Sequence, residues 1–231
     1  MNILVTGATK GIGKVIAETL NGNIFATGRN LEVLKNFPNH FQADISKKED
    51  LIKLGDFIEN NNIDVLVNNA GIYHWNNSEN LDFDIIHNTI NTNLSAALYL
   101  SSRAIKNMKH KKFGRIINIG SISGVMGESG ATAYSASKAG LIGMTKALAL
   151  ELAEYNITVN TINPGWVDTE LGSNSIDDSG FSKDEIIETI PQKRFVEPIE
   201  IANLIKYLIS TEAKGITGQS INLCAGLSVG Y

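Results

Sequence analysis

Tyr134 and Lys138 stand four residues apart in Tyr134-Ser135-Ala136-Ser137-Lys138, which on a helix brings a phenol and an ammonium onto one face. A free tyrosine has a pKa of about 10, so near neutrality only about one phenol in a thousand is ionised. A cation held beside it favours the phenolate, and the expectation is a lowered pKa and a usable acid or base. Ser121, after Arg115-Ile116-Ile117-Asn118-Ile119-Gly120, could offer a second hydroxyl to the same substrate oxygen. By itself a Tyr-x-x-x-Lys pair is weak evidence, since most such pairs are solvated helix surface, so its weight depends on what surrounds it. Serine with lysine also raises nucleophilic catalysis. However, no Gly-x-Ser-x-Gly elbow surrounds Ser121, and His40, His74, His87 and His110 fall outside the strand-end motifs, against an acyl-enzyme hydrolase.

The surroundings begin at the N-terminus. Asn2-Ile3-Leu4-Val5 reads as a short buried strand that runs into Thr6-Gly7-Ala8-Thr9-Lys10-Gly11-Ile12-Gly13 and then a helical pattern through Val15, Ile16, Thr19 and Leu20. Strand, glycine-rich turn and helix in that order make a dinucleotide-binding unit. The glycines let a pyrophosphate approach the main chain, and the helix N-terminus presents unpaired N–H groups to it. The spacing Gly-x-x-x-Gly-x-Gly differs from the commoner Gly-x-Gly-x-x-Gly.

The elements that must position these residues alternate along the chain. Strands are predicted near 2–6, 23–27, 40–43, 64–67, 114–120, 157–162 and 219–223, and helices near 12–20, 47–60, 82–109, 132–155 and 198–209, with a weak one near 31–36. The alternation predicts a single-domain α/β fold: a Rossmann-type, doubly wound parallel sheet of about seven strands with helices on both faces. No linker or repeat divides residues 1–231. Residues 168–195, with Gly172-Ser173-Asn174-Ser175 and Asp177-Asp178-Ser179-Gly180, read as a mobile segment with little core, placed to close over a substrate.

A hydrophobic content of 43%, a charged content of 19% and 21 glycines suit such an enzyme. The net charge of −4, with scattered basic residues, argues against a nucleic-acid partner. One cysteine, Cys224, excludes an intrachain disulfide and is expected to be a buried apolar residue. With no cationic leader and no apolar run near the ~18 residues of a membrane span, a soluble cytoplasmic protein without membrane partners is expected. No metal site is expected.

Thr6-Gly7-x-x-x-Gly11-Ile12-Gly13, Asn68-Asn69-Ala70-Gly71, Ser121, Tyr134-x-x-x-Lys138 and Asn163-Pro164-Gly165 occur in order, and together they resemble the short-chain dehydrogenase/reductase family over essentially the whole chain. The resemblance implies a nicotinamide-dependent oxidoreductase. Tyr134 would exchange the proton, Lys138 would depress its pKa and bind the nicotinamide ribose, and Ser121 would hydrogen-bond the substrate oxygen. Asn93, in Asn91-Thr92-Asn93-Leu94, would hold a proton-relay water near Lys138, with Asn91 as its competitor for the role. The cofactor would lie against Gly7, Thr9, Lys10, Gly11, Ile12 and Gly13. Asn69, Ala70 and Gly71 would pass under it, and Asp44 and Ile45 would flank the adenine. Pro164, Gly165, Val167 and Thr169 would meet the nicotinamide end.

NAD users usually carry an acid at the tip of the second strand, for the ribose 2′-hydroxyl. Here that strand ends in Gly28-Arg29, and Arg29 suits a 2′-phosphate, with Lys10 as a second cation nearby. NADP(H), and hence reduction, is expected. The chain resembles in particular the 3-oxoacyl-(acyl-carrier-protein) reductases of fatty acid biosynthesis, through Gly114–Ser121, Ala139-Gly140-Leu141-Ile142-Gly143, Asn156-Ile157-Thr158-Val159-Asn160 and Ile216-Thr217-Gly218-Gln219. Reduction of a 3-oxoacyl thioester, with an acyl-carrier protein as a candidate partner, is the resulting expectation. Two features depart from that pattern. Tyr155-Asn156 stands where a carrier-docking basic residue is common, although Lys112 keeps the other docking position, and only residues 30–39 join the second and third strands. Trp75 and Trp166 could shape a pocket for a small or cyclic substrate. A reductase of a small sugar, cyclic or other ketone remains an alternative, and a non-catalytic dinucleotide sensor a remote one. A homotetramer or dimer is implied, and apolar residues on two long helices (Ala96, Ala97, Leu98, Leu148, Ala149, Leu150) fit either such an interface or the core.

Overall fold

A computed structural model of the protein describes residues 1–170, 172, 176 and 180–229. Seven strands form one sheet: β1 (Asn2–Thr6), β2 (Asn23–Gly28), β3 (Asn39–Gln42), β4 (Val65–Asn68), β5 (Gly114–Ile119), β6 (Ile157–Pro164) and β7 (Ser220–Leu223). All neighbours are parallel and the order is β3-β2-β1-β4-β5-β6-β7. The order reverses between β1 and β4, and in open parallel sheets that is where a crevice opens beyond the strands' carboxyl ends.

The described helices are α1 (Gly11–Thr19), α2 (Leu31–Leu34), α3 (Lys48–Asn60), α4 (Phe83–Ile90), α5 (Ala96–Lys111), α6 (Ser123–Met126), α7 (Thr132–Leu152), α8 (Lys183–Thr189) and α9 (Pro198–Leu208). Period-two alternation divides the strands between two cores. Ile3, Val5, Val67, Ile117 and Ile162 pack under α1 and α9, while Leu4, Leu66, Ile116 and Val159 pack under α3, α5 and α7. Each fully buried Leu or Ile contributes about 1.5–3 kcal/mol. Cys224 is free and buried. Among the described residues no helix is long and apolar enough to cross a membrane.

Three differences from the sequence-based expectations bear on function. The helix expected over 82–109 is broken: a π-helical turn at Asn91–Ser95 separates α4 from α5. Such turns recur at functional sites, and this one turns the Asn93 side chain inward. Second, the short helix α6, unexpected from the sequence, packs on α7 so closely that a Cβ at Gly124 would lie 2.7 Å from the Lys138 carbonyl carbon. Third, the segment after β6 carries a small core, correcting the expectation that it had little. Ile176, Ile186, Ile190 and Phe195 cluster with Trp166 and Leu227, and Val196 N–H donates to Trp166 O at 2.8 Å. The polar stretches read there as mobile, Ser173-Asn174-Ser175 and Asp177-Asp178-Ser179, lie outside the described residues.

Of the residues offered for a subunit interface, Ala96, Ala97 and Ala149 are buried in the cores, whereas Leu98 and Leu150 are 49% and 86% exposed. Core packing therefore accounts for the alanines, and the two leucines are what a partner copy could cover.

Candidate active site

At the crevice, β1 and β4 are tied together before any glycine is used. Thr6 Oγ1 accepts from Asn69 N–H at 2.9 Å and Ala70 N–H at 3.0 Å, and Asn69 Nδ2 donates to Thr6 O at 2.8 Å. The chain then turns through Gly7 (φ +67) and Gly11 (φ +52), which favour glycine because they lie in the left-handed region. Gly13 is required by space: a Cβ there would sit 2.3 Å from both Gly7 O and Asn69 Nδ2. The N-cap of α1, Lys10, makes no side-chain cap, so the first N–H groups of the helix are left to an anion. Gly13→Ala is therefore expected to destabilise the protein by about 1–3 kcal/mol and to weaken dinucleotide binding. Urea denaturation and a dinucleotide titration would check this; wild-type values in both would contradict it.

A cavity of about 870 Å³ runs from this turn across the strand ends. The residues expected to meet cofactor or substrate line it, with the exceptions of Asn93 and Trp75. At the β2 end lie Arg29, Asp44 and Ile45. Burial raises the Asp44 pKa, but hydrogen bonds from the Ser46 hydroxyl (2.7 Å) and N–H (3.1 Å), with the charges of Arg29 and Lys47, outweigh it and hold the carboxyl below its ordinary value. No acid stands at the tip of β2. Lys10, expected beside Arg29, instead pairs with Glu170 at 2.9 Å, across to the loop after β6. This leaves Arg29, exposed and without an ion-pair partner among the described residues, as the cation available at that end.

At the other end Ser121, Tyr134 and Lys138 converge. Tyr134 and Lys138 are 9% and 4% exposed, so they form a buried pair rather than a solvated helix surface. The α7 register that places them is set by a buried polar chain: Asn68 Nδ2 donates to Asn118 Oδ1 at 2.9 Å, Asn118 Nδ2 donates to Thr145 Oγ1 at 2.8 Å, and Thr145 Oγ1 meets Thr161 Oγ1 at 2.5 Å. Lys138 Nζ donates to Ile119 O at 2.8 Å and lies 5.5 Å from the centre of the Tyr134 ring.

The electrostatics correct the expectation of a depressed phenol. Burial pushes Tyr134 up to about 12; the Ser121 hydrogen bond opposes this and the Glu128 charge adds to it. Burial also pushes Lys138 down to about 8. Four-residue spacing brings the pair together, but desolvation depth decides the sign.

Asn93 lies behind the cavity wall. Its Oδ1 accepts from Ile72 N–H at 2.8 Å, and its Nδ2 donates to Ile72 O at 2.9 Å and Ser137 Oγ at 3.1 Å. A Cβ on Gly71 would lie 3.2 Å from Asn93 Oδ1 and 3.5 Å from Lys138 Nζ, so Asn93 is next to the lysine. Its competitor Asn91 turns to His87, 2.7 Å away. Of the two tryptophans, Trp166 lines the cavity, whereas Trp75 packs over Gly130, where a Cβ would fall 2.0 Å from its Nε1.

Tyr73, Ser123, Glu128 and Ser46 also line the cavity and were not singled out from the sequence. Ser123 opens the four-residue helix α6 and the others stand on loops, none of which a periodicity marks; the nearest signal was Ser121-x-Ser123, two hydroxyls close in the chain.

A family model described as short chain dehydrogenase matches residues 1–180. The 3-oxoacyl-(acyl-carrier-protein) reductase of Buchnera aphidicola subsp. Baizongia pistaciae is 38% identical over 237 residues, covering 97% of this chain and 96% of its own. That of Salmonella typhimurium is 36% identical over 236 residues, with the same coverage of 97% and 96%. Among solved structures, an actinorhodin polyketide ketoreductase variant with NADPH superposes with a TM-score of 0.93 at 34% identity, covering 99% of this chain and 97% of its own. The uncapped glycine turn and the crevice at the β1–β4 reversal fit a dinucleotide. The chain belongs to the short-chain dehydrogenase family, as an oxidoreductase of alcohol and ketone groups that uses a nicotinamide dinucleotide.

Proposed function

We propose that the protein is an NADPH-dependent ketoreductase that converts the ketone of a 3-oxoacyl thioester to a secondary alcohol. The observation that carries this reading is the meeting of Ser121, Tyr134 and Lys138 on one wall of the cavity whose far end is the uncapped glycine turn. The bound cofactor supplies the hydride. Ser121 and Tyr134 place two hydroxyls where the ketone oxygen gains negative charge, and Tyr134 gives that oxygen its proton. Lys138, protonated, stabilises the phenolate left behind and reaches the nicotinamide ribose, with Asn93 positioned behind it. Gly7, Thr9 and Gly11 to Gly13 hold the pyrophosphate, and Asn69, Ala70 and Gly71 floor the cleft. Asp44 and Ile45 flank the adenine, Arg29 takes the 2′-phosphate, and Pro164, Gly165, Val167 and Thr169 meet the carboxamide end. Consumption of NADPH with an acetoacetyl thioester tests the reading; no turnover with that thioester or with simple diketones would overturn it.

An acyl-carrier protein, itself acidic, would meet the basic C-terminal turn of α5. Lys112 lies there beside Asn156, whose Nδ2 donates to Lys112 O at 3.2 Å. Two or four copies would assemble over Leu98 and Leu150.

The two shifted groups give a pH profile with a definite sign. Tyr134, pushed up to about 12, keeps its proton throughout the working range. Lys138, pushed down to about 8, loses its charge above that pH. Reduction is expected to be level below pH 8 and to fall above it, approaching about tenfold per pH unit. Lys138→Met should slow the reaction and erase that limb; the same limb in the variant would assign it elsewhere.

A further inference from the structure

A carboxylate stands at the substrate end of the cavity. Glu128, on the turn between α6 and α7, is half-buried and lines the same wall as Ser121 and Tyr134. Two hydroxyls fix it: Tyr73 OH donates to Oε1 at 2.8 Å and Ser123 Oγ donates to Oε2 at 2.6 Å. Both lead back to the reacting groups. The Tyr73 ring meets the Tyr134 ring edge-on at 5.0 Å, and Ser123 Oγ accepts from Ser121 Oγ at 3.0 Å. The charge is felt there, since it helps keep Tyr134 protonated.

No cation among the described residues offsets this carboxylate. Among the described residues Glu128 forms no ion pair. Of the lysines and arginines lining the cavity, Lys10 is committed to Glu170, Arg29 lies at the β2 end and Lys138 donates a hydrogen bond to Ile119 O. A carboxylate has room for about four hydrogen bonds and only accepts them. With one hydroxyl on each oxygen, Glu128 presents negative charge and spare acceptor capacity to whatever lies beside the reacting carbon.

We infer that Glu128 sets specificity by charge: the site takes neutral 3-oxo esters, thioesters and diketones and rejects substrates with a free carboxylate beside the reacting ketone. The inference rests on the ketoreductase reading and narrows its substrate class. Like charges in a partly desolvated pocket repel far more strongly than in water, and a built-in repulsion is an effective way to exclude a competitor. The carboxyl group of a 3-oxo acid must therefore arrive already esterified, and the reaction supplying this substrate is one that forms or keeps an acyl ester or thioester.

The test compares kcat/KM with NADPH for ethyl acetoacetate and acetoacetate, which differ in one charge, in the wild type, Glu128→Gln and Glu128→Asp. The wild type is expected to prefer the ester, the ester-to-acid ratio to fall about tenfold or more in Glu128→Gln, and Glu128→Asp to keep most of it, because the charge stays. In the wild type alone, raising the salt concentration should lower the ratio, which tests the idea without any variant. A ratio indifferent both to salt and to Glu128→Gln would overturn the inference and leave the ketoreductase reading intact. A wild type that consumes NADPH with neither compound, nor with an acetoacetyl thioester, would overturn that reading and this inference with it.

Discussion

Tyr134→Phe is expected to lower kcat for ketone reduction by about 10²–10⁴-fold while leaving dinucleotide affinity within a few-fold of wild type. The phenylalanine keeps the ring that meets Tyr73 edge-on at 5.0 Å, so packing on that wall survives. What is lost is the proton donor, and no neighbour replaces it. Lys138 is held on Ile119 O, and Ser121 Oγ donates toward Ser123 at 3.0 Å. The site is also buried, which limits rescue by bulk water. Steady-state rates together with a fluorescence titration of NADPH would separate the two effects. Equal kcat in the two proteins would remove Tyr134 from the chemistry.

Arg29→Asp is expected to reverse cofactor choice, moving the ratio of kcat/KM for NADPH over NADH by about a hundredfold. A charge-assisted hydrogen bond contributes about 1.5–3 kcal/mol, and every 1.4 kcal/mol is a factor of ten. The substitution removes that contact, repels the 2′-phosphate and offers the 2′-hydroxyl an acceptor. It should work at this position because Arg29 directly follows the last residue of β2 and lines the cavity, while Lys10 is drawn away to Glu170. A wild type that already prefers NADH would contradict the assignment of Arg29.

The sheet, its two helical layers and about half of the cavity wall were legible in the chain, for physical reasons that can be named. Strands buried on both faces must be apolar, so Ile3-Leu4-Val5 and Val65-Leu66-Val67 stand out, and their neighbours Gly7 and Asn69 follow as strand-end loops. Gly7 and Gly13 are forced by φ and by space, and such positions leave a mark in any sequence.

What was not legible arises from contacts between elements. Nothing in Asn91-Thr92-Asn93 breaks a helix; the π-turn there goes with an Asn93 amide bound to Ile72 and Ser137, residues 21 and 44 positions away. Helix α8 did carry a signal, the Ser182-x-x-Glu185 capping box, which was masked by the polar residues around it. Glu128 and Tyr73 are 55 positions apart on loops, and only the folded chain brings their side chains together. The sign of the Tyr134 shift likewise depends on depth, which spacing does not encode.

The most direct test of the central claim is a crystal structure of the protein with NADPH and an unreactive ketone analogue. The analogue's oxygen is expected within about 3.2 Å of both Tyr134 Oη and Ser121 Oγ, beside the nicotinamide. An oxygen that contacts neither hydroxyl, or a nicotinamide lying away from Tyr134, would contradict it.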